Sequence, residues 1–193
     1  DLEWDKTTDY FVSKTRAEKA AWDRRESKGL KNSLTCIKPG FVLGDFLNEK
    51  TCTSMEYAKQ LLQGKFPAAP KFSVMISHVK DIARAHVLSL ANKRAGGRRL
   101  IVGSEVRSIL ELSKIMAENL PSHAKKLPKK ELPNFMVKLL SYIDTSAKNL
   151  VPDLGLTMQT NQTYAEEILQ MKFLPSETAV VDAAKSVIRL NLA

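Results

Sequence analysis

The small number of candidate strands constrains this chain more than any other feature of its sequence. Only two or three stretches have the alternating or β-branched pattern of a strand, at residues 33–38, 72–78 and 99–103. An open parallel sheet needs repeated strand and helix units to cover both of its faces. The sequence therefore predicts an α/β chain with an incomplete parallel sheet and a mainly helical remainder.

Helices are predicted for much of the rest of the chain. Residues 5–28 contain no proline or glycine, and Gly29 follows them as a helix-ending residue. Asp81 is predicted to be the N-cap of a helix over residues 82–93. Ser108 and Glu111 have the spacing of a capping box at the start of another helix. Composition and apolar periodicity predict further helices at residues 55–63, 134–143, 163–171 and 177–190.

The charge balance raises the question of an acidic partner. Thirty Lys and Arg residues against 21 Asp and Glu give a formal charge of +9. The densest basic cluster is interrupted by Pro128 and lacks the interleaved aromatic residues that stack on bases. We therefore interpret it as a solvated loop and predict no nucleic-acid partner. The cluster consists of Lys125, Lys126, Lys129 and Lys130.

No stretch approaches the roughly 18 to 20 consecutive apolar residues of a membrane span. The first residues have neither the basic start nor the apolar run of a secretory signal. We therefore predict a cytoplasmic protein without a membrane partner. Cys36 and Cys52 do not form a CxxC pair and few histidines accompany them, so no metal site is predicted.

Tyr10 and Lys14 are four positions apart on the predicted N-terminal helix, so their side chains point from the same face. A nearby ammonium group stabilises a phenolate. A tyrosine in that setting can give a proton to a carbonyl oxygen or take one from an alcohol. A Tyr-x-x-x-Lys pair alone is weak evidence, because solvated helix faces carry such pairs by chance. Its assignment to catalysis depends on context.

Three ordered blocks supply that context. The run YFVSKTRAEKAAW at residues 10–22 resembles the active-site helix of the extended short-chain dehydrogenase/reductase family, especially its dihydroflavonol reductases and related carbonyl reductases. The run KPGFVLG at residues 38–44 resembles the family's loop beside the nicotinamide. The run ISHVKDIARAH at residues 76–86 resembles a further family segment. Weaker matches at residues 99–103 and 144–148 extend the resemblance over nearly the whole chain.

The resemblance implies a Rossmann-type, NAD(P)-dependent oxidoreductase that reduces a dihydroflavonol-like ketone or aldehyde by hydride transfer. It makes Tyr10 the general acid or base. It makes Lys14 the group that activates the tyrosine and binds the hydroxyls of the nicotinamide ribose. The implied cofactor is NADP or NAD, with NADP preferred. The implied cofactor-binding residues are Tyr10, Lys14, Pro39, Gly40, Phe41 and Val42.

The family builds its substrate pocket largely from the C-terminal region, which implies Phe46, Leu47 and Met75 as substrate contacts. Asp45 stands where the family usually has proline after Gly44. The loop beyond is therefore expected to follow another course, and the pocket is expected to differ.

Three side chains in the third block invite a metal or acid-base interpretation, namely His78, Asp81 and His86. The resemblance makes them structural, with Asp81 capping a helix.

The family's cofactor-binding front half has no counterpart in this sequence. There is no Gly-x-x-Gly-x-x-Gly turn after an early strand and no upstream serine or threonine to complete the catalytic set. We therefore expect an N-terminal cofactor-binding half as a partner. The prediction assigns residues 1–50 to the end of the Rossmann-type domain and residues 51–193 mostly to the substrate-binding region, with residues 72–103 returning to the core sheet.

Two other functions remain open. A nucleotide-sugar epimerase or dehydratase of the same superfamily uses the same tyrosine and lysine. A non-catalytic remnant or interaction module would keep the helices for association, because family members commonly dimerise through the tyrosine-bearing helix. A homodimer through the Tyr10 and Lys14 helix is accordingly expected, with Ala17, Ala21 and Trp22 at the contact.

Overall fold

The computed structural model describes residues 9–50, 52–142, 151–155 and 158–193. It confirms the α/β class, with short strands in three small sheets and helices around them. The strands are β1 (Cys36–Pro39), β2 (Phe41–Leu43), β3 (Ala69–Pro70), β4 (Ser73–His78), β5 (Arg99–Val102), β6 (Val106–Ser108) and β7 (Glu131–Leu132). The α-helices are α1 (Asp9–Ser27), α2 (Thr53–Leu62), α3 (Val79–Ala91), α4 (Ile109–Asn119), α5 (Asn134–Leu140), α6 (Thr163–Leu169) and α7 (Ser176–Arg189).

Every helix predicted from the sequence is present, with ends shifted by a few residues. The first predicted positions of α1, the last predicted position after α5 and the weak match at residues 144–148 lie outside the described residues. Within the described ranges, no helix is both long enough and apolar enough to cross a membrane.

One continuous stretch of chain forms both β1 and β2, and Gly40 separates them. β1 pairs in parallel with β5, whereas β2 pairs in parallel with β4, which in turn pairs antiparallel with β6. A Cβ atom at Gly40 would lie only 2.2 Å from the carbonyl oxygen of Met75, so the change of partner requires glycine. The run at residues 38–44, which resembles the family's loop, contains a strand, because residues 41–43 pair in parallel with β4.

The sheet around β1 is incomplete, as the scarcity of candidate strands predicts. Among the described residues, β1 and β5 pair only with each other. Each of these two strands therefore has one edge whose backbone groups face no strand neighbour.

The core lies between α2, α4 and α7 and the β2–β4 pair, against which α7 packs. The apolar stripe predicted for α7 is buried there, including Val180, Ala184 and Val187. Leu62 of α2 and Leu112 of α4 pack in the same cluster and are almost wholly inaccessible. Each buried leucine contributes roughly 1.5–3 kcal/mol of hydrophobic free energy. These contacts fix β2 and β4, which border the candidate site.

The start of α3 differs from the prediction. His78, not Asp81, is the N-cap, and its Nδ1 accepts a hydrogen bond from the backbone N–H of Lys80 at 3.1 Å. Asp81 is buried in the first turn, where its carboxylate accepts from the backbone N–H of Leu174 at 2.7 Å. The capping box at α4 is confirmed, because the side chains of Ser108 and Glu111 each accept a hydrogen bond from the other's backbone N–H.

Candidate active site

Tyr10 and Lys14 lie together near the start of α1. The Nζ atom of Lys14 is 5.6 Å from the centroid of the Tyr10 ring, because residues four apart are neighbours on a helix surface. The Tyr10 side chain is 63% exposed. The ring of Phe11 meets it edge-on at 5.7 Å between centroids. The structure thus places a phenol and an ammonium group side by side at an accessible surface.

Glu18, one turn beyond Lys14 on the same face of α1, connects this helix to the β1–β5 pair. Its carboxylate accepts hydrogen bonds from Arg99 of β5 and from Lys38 of β1. The indole N–H of Trp22 donates to the same carboxylate at 3.1 Å. No described residue of α1 is buried, and the contacts of Glu18 with Lys38 and Arg99 attach the tyrosine-bearing helix to the strands.

The surroundings of Glu18 keep its carboxylate ionised. Burial by itself raises the pKa of Glu18, but the hydrogen bonds from Arg99, Lys38 and Trp22 outweigh burial and hold that pKa well below its usual range. Cys36 lies beside the same group. Burial, and then the neighbouring Glu18 carboxylate, raise the pKa of the Cys36 thiol, which disfavours its reactive thiolate.

Ser77 of β4 fixes the segment predicted to border the nicotinamide. Its hydroxyl group accepts a hydrogen bond from the backbone N–H of Gly40 at 2.8 Å and donates to the carbonyl oxygen of Val102 at 2.7 Å. The side chain is fully buried. One hydroxyl group therefore joins the β1–β2 junction to the end of β5, and sequence reasoning gave it no role.

The residues predicted to contact the nicotinamide follow directly from Lys38. Pro39 is exposed at the end of β1 and Val42 pairs with Ser77. The ring of Phe41 turns toward the core, where it meets Tyr57 edge-on at 6.0 Å between centroids. The Glu18–Lys38 contact thus connects the helix carrying Tyr10 and Lys14 to the strand leading into residues 39–42.

The three predicted substrate contacts lie in different surroundings. Met75 is buried in β4 beneath Gly40, while Phe46 packs against the main core. Leu47 is 89% exposed. The structure does not gather these side chains into one pocket, and their assignment as substrate contacts stays a prediction.

Asp45 occupies the position after Gly44, where the family usually has proline. Its carboxylate accepts from the Ser186 hydroxyl at 2.8 Å and from an Nη atom of Arg189 at 2.7 Å. These two hydrogen bonds, first from Ser186 and then from Arg189, lower the pKa of Asp45. The loop after β2 is therefore fastened to α7 by its side chain.

The histidines of the third block make separate contacts. The Nε2 atom of the buried His78 lies 3.3 Å from a carboxylate oxygen of Asp182 on α7. The Nδ1 atom of His86 lies 2.7 Å from the carbonyl oxygen of Ile82 on its own helix. In the part of the chain that the structure describes, no group of three or more His, Cys, Asp or Glu side chains is arranged to hold a metal ion.

Similarity to curated proteins connects this arrangement to reductases. The chain is 32% identical to tetraketide alpha-pyrone reductase 2 of Arabidopsis thaliana over 114 residues, 59% of this chain and 35% of that protein. It is 34% identical to dihydroflavonol 4-reductase of Gerbera hybrida over 118 residues, 59% of this chain and 31% of that protein. The match spans about a third of the length of these relatives. No family model matches the chain.

Solved structures share the fold. Vestitone reductase from alfalfa, Medicago sativa, aligns with a TM-score of 0.68 at 23% identity, over 100% of this chain and 54% of that structure. Gre2 from Candida albicans, solved with NADPH, aligns with a TM-score of 0.73 at 24% identity, over 98% of this chain and 55% of that structure.

The fold is therefore that of the Rossmann-type reductases. The relatives of this chain are reductases of the extended short-chain dehydrogenase/reductase family, of the dihydroflavonol reductase type, and the resemblance predicted from the sequence is confirmed.

Proposed function

We propose that this chain carries the proton-transfer and nicotinamide-contacting part of a reductase that uses NADPH to reduce a ketone or aldehyde. The observation that carries the proposal is the Tyr10–Lys14 pair on α1, held through Glu18 to the strand that leads into residues 39–42. The similarity to reductases supports reduction over the epimerase or dehydratase alternative.

The Tyr10 and Lys14 side chains suit a dinucleotide cofactor. Both are accessible, and an ammonium group supplies three donors for the hydroxyls of a ribose. Within the described residues, no ion pair involves Lys14. NADP is preferred over NAD because the Gre2 structure that shares this fold was solved with NADPH. When bound, the cofactor supplies the hydride.

The residues of this chain transfer one proton to the substrate. Tyr10 donates its phenolic proton to the carbonyl oxygen of the substrate as that oxygen becomes an alcohol. The ammonium group of Lys14 stabilises the phenolate that remains. Glu18 does not touch the reacting atoms. It acts as a positioning residue, because it fixes α1 relative to the strand carrying Lys38.

An additional cofactor-binding half is the partner that this proposal requires. Within the described ranges, one edge of β1 has no strand neighbour and can pair with further parallel strands, and α1 buries none of its described residues against the rest of the chain. A homodimer through α1 uses the same exposed helix. Sedimentation of the full-length protein measures whether it is a dimer. If α1 forms the dimer contact, Trp22→Glu is expected to give the monomer.

The experiment measures the full-length protein with NADPH and a panel of aromatic and aliphatic ketones and aldehydes. Tyr10→Phe is expected to lower kcat by about 10²-fold or more while NADPH binding persists. Tyr164→Phe removes a hydroxyl from a partly exposed tyrosine on α6 and is the matched control, with unchanged turnover. Normal turnover by Tyr10→Phe overturns the mechanism. A full-length protein that neither binds NADPH nor reduces any carbonyl compound supports the non-catalytic alternative.

A further inference from the structure

Helix α5 is a surface helix whose outward side is apolar. Val137 is its buried residue, at 2% exposure. Phe135 and Leu139 lie opposite Val137 on the helical wheel and are 70% and 68% exposed. A surface helix normally turns its polar side to water, so this orientation marks an interaction site. The exposed apolar side chains of the segment are Phe135, Met136, Leu139, Leu140 and Tyr142.

Lysines accompany this apolar side along the chain. Residues 121–142 contain five lysines, and Glu131 is their only carboxylate. All five lysines are exposed, and among the described residues none of them takes part in an ion pair. The five are Lys125, Lys126, Lys129, Lys130 and Lys138.

A hollow of about 290 Å³ adjoins the lysines that precede α5. Lys114, Lys125 and Lys129 lie on its wall, and Leu127 and Pro128 give it an apolar floor. Among the residues that the structure describes, no carboxylate lines it. The three lysines favour an anionic occupant, and Lys129 lies five positions before the start of α5 in the sequence.

We propose that residues 125–142 form a docking surface for an anionic phospholipid bilayer, with α5 lying flat at the interface. The lysines meet the lipid phosphates and carboxylates, and Phe135 and Leu139 enter the boundary between headgroups and acyl chains. A spanning helix is not required. The sequence prediction of no membrane partner rests on the absence of a spanning segment, and a helix that lies at the interface needs none.

Lipid fits this surface better than other partners because the surface combines lysines with exposed apolar side chains. A nucleic acid uses the positive charge but has no need of an exposed aliphatic row. A second copy of the chain uses the apolar row but brings five further lysines against the first five, which repel. A bilayer containing acidic lipids satisfies both the charge and the apolar side chains.

The test is sedimentation of the full-length protein with vesicles of phosphatidylserine and phosphatidylcholine, compared with vesicles of phosphatidylcholine alone. Binding is expected only with phosphatidylserine and is expected to weaken with added salt. Lys129→Gln with Lys130→Gln removes two charges, each worth roughly a fivefold change in partition, and is expected to weaken binding about 25-fold. Leu139→Ser is expected to weaken it as well.

Two matched controls accompany these variants. Lys93→Gln with Arg94→Gln removes the same charge from another exposed pair, and Leu30→Ser removes an exposed leucine elsewhere. Equal loss of binding in the controls means a non-specific charge effect and overturns the proposal. So does unchanged binding by the Lys129 and Leu139 variants, or a lipid-independent change in their oligomeric mass. The assay requires no turnover, so its outcome is independent of the proposed reductase activity.

Discussion

The guanidinium group of Arg99 donates hydrogen bonds to both carboxylate oxygens of Glu18. Its Nε atom donates to one carboxylate oxygen at 2.7 Å and its Nη2 atom donates to the other at 3.2 Å. Such a bidentate pair fixes orientation as well as distance, which a lysine in the same place does not. The direction of α1, and with it the position of Tyr10 about 12 Å along the helix from Glu18, therefore depends on a contact between residues 81 positions apart.

Replacing Glu18 tests this attachment. Glu18→Gln is expected to lower the free energy of unfolding by roughly 1–3 kcal/mol at about pH 7, because Arg99 and Lys38 lose a partly buried anionic partner. Asp23→Asn, on the same helix but in an exposed pair with Lys19, is the control, with an expected loss below about 0.5 kcal/mol. Chemical denaturation measures both.

The same comparison has a predicted pH dependence. The folded pKa of Glu18 lies below its unfolded value of about 4.3, so its contribution is fully present above that pH and is lost as the pH falls toward the lowered folded pKa. The stability difference between wild type and Glu18→Gln is therefore expected to shrink below about pH 4. A difference that stays constant down to about pH 3 means that the charge of Glu18 is not what stabilises the helix.

Ser77→Ala tests the junction beside the predicted nicotinamide segment. The change leaves the Gly40 N–H and one lone pair of the Val102 carbonyl without their partner, at an expected cost of roughly 1–3 kcal/mol in unfolding free energy. Ser113→Ala is the matched control. Ser113 is equally buried, but its hydroxyl only back-bonds to Ile109 in its own helix, so a loss below about 0.5 kcal/mol is expected. Equal losses in the two variants contradict the role given to Ser77.

Gly40→Ala tests whether the change of strand partner needs glycine. A methyl group there meets the Met75 carbonyl oxygen, so we expect a loss of roughly 1–3 kcal/mol and a lower melting temperature. Gly29→Ala is the comparison. It has open space around it but a φ of +65°, so its expected cost is the left-handed backbone strain alone, about 1–2 kcal/mol. Amide hydrogen exchange separates the two, because a clash in the sheet also makes the β1–β2 junction exchange its amide protons faster.

Local signals in the sequence were sufficient for the features that local chemistry determines. Ser108 and Glu111 are three positions apart, and their reciprocal hydrogen bonds form within one helical turn, so spacing alone predicts the cap. The Tyr10–Lys14 pair was predictable for the same reason, since four positions make one helical turn.

The features that the sequence did not predict depend on contacts between residues far apart in the chain. Asp81 has the chemistry of an N-cap, but the Leu174 amide 93 positions away takes its carboxylate and leaves the cap to His78. The strand at residues 41–43 is too short to give a sequence pattern of its own, and it is defined by its pairing with β4. Glu18 carried no local sign of its role, because Lys38 and Arg99 lie 20 and 81 positions away.

The free edge of β1 has a consequence for handling the protein. An uncovered strand edge pairs readily with the same edge of another molecule, which is a common start of aggregation. The Cys36 N–H already donates to the Arg98 carbonyl at 2.8 Å, and Pro39 has no N–H. Backbone N–H groups alternate between the two edges of a strand, so the free edge presents the Ile37 N–H, and Glu18 neutralises the neighbouring lysine that would otherwise repel a second strand. Molecules whose edge is left uncovered are therefore expected to precipitate through this edge as their concentration rises.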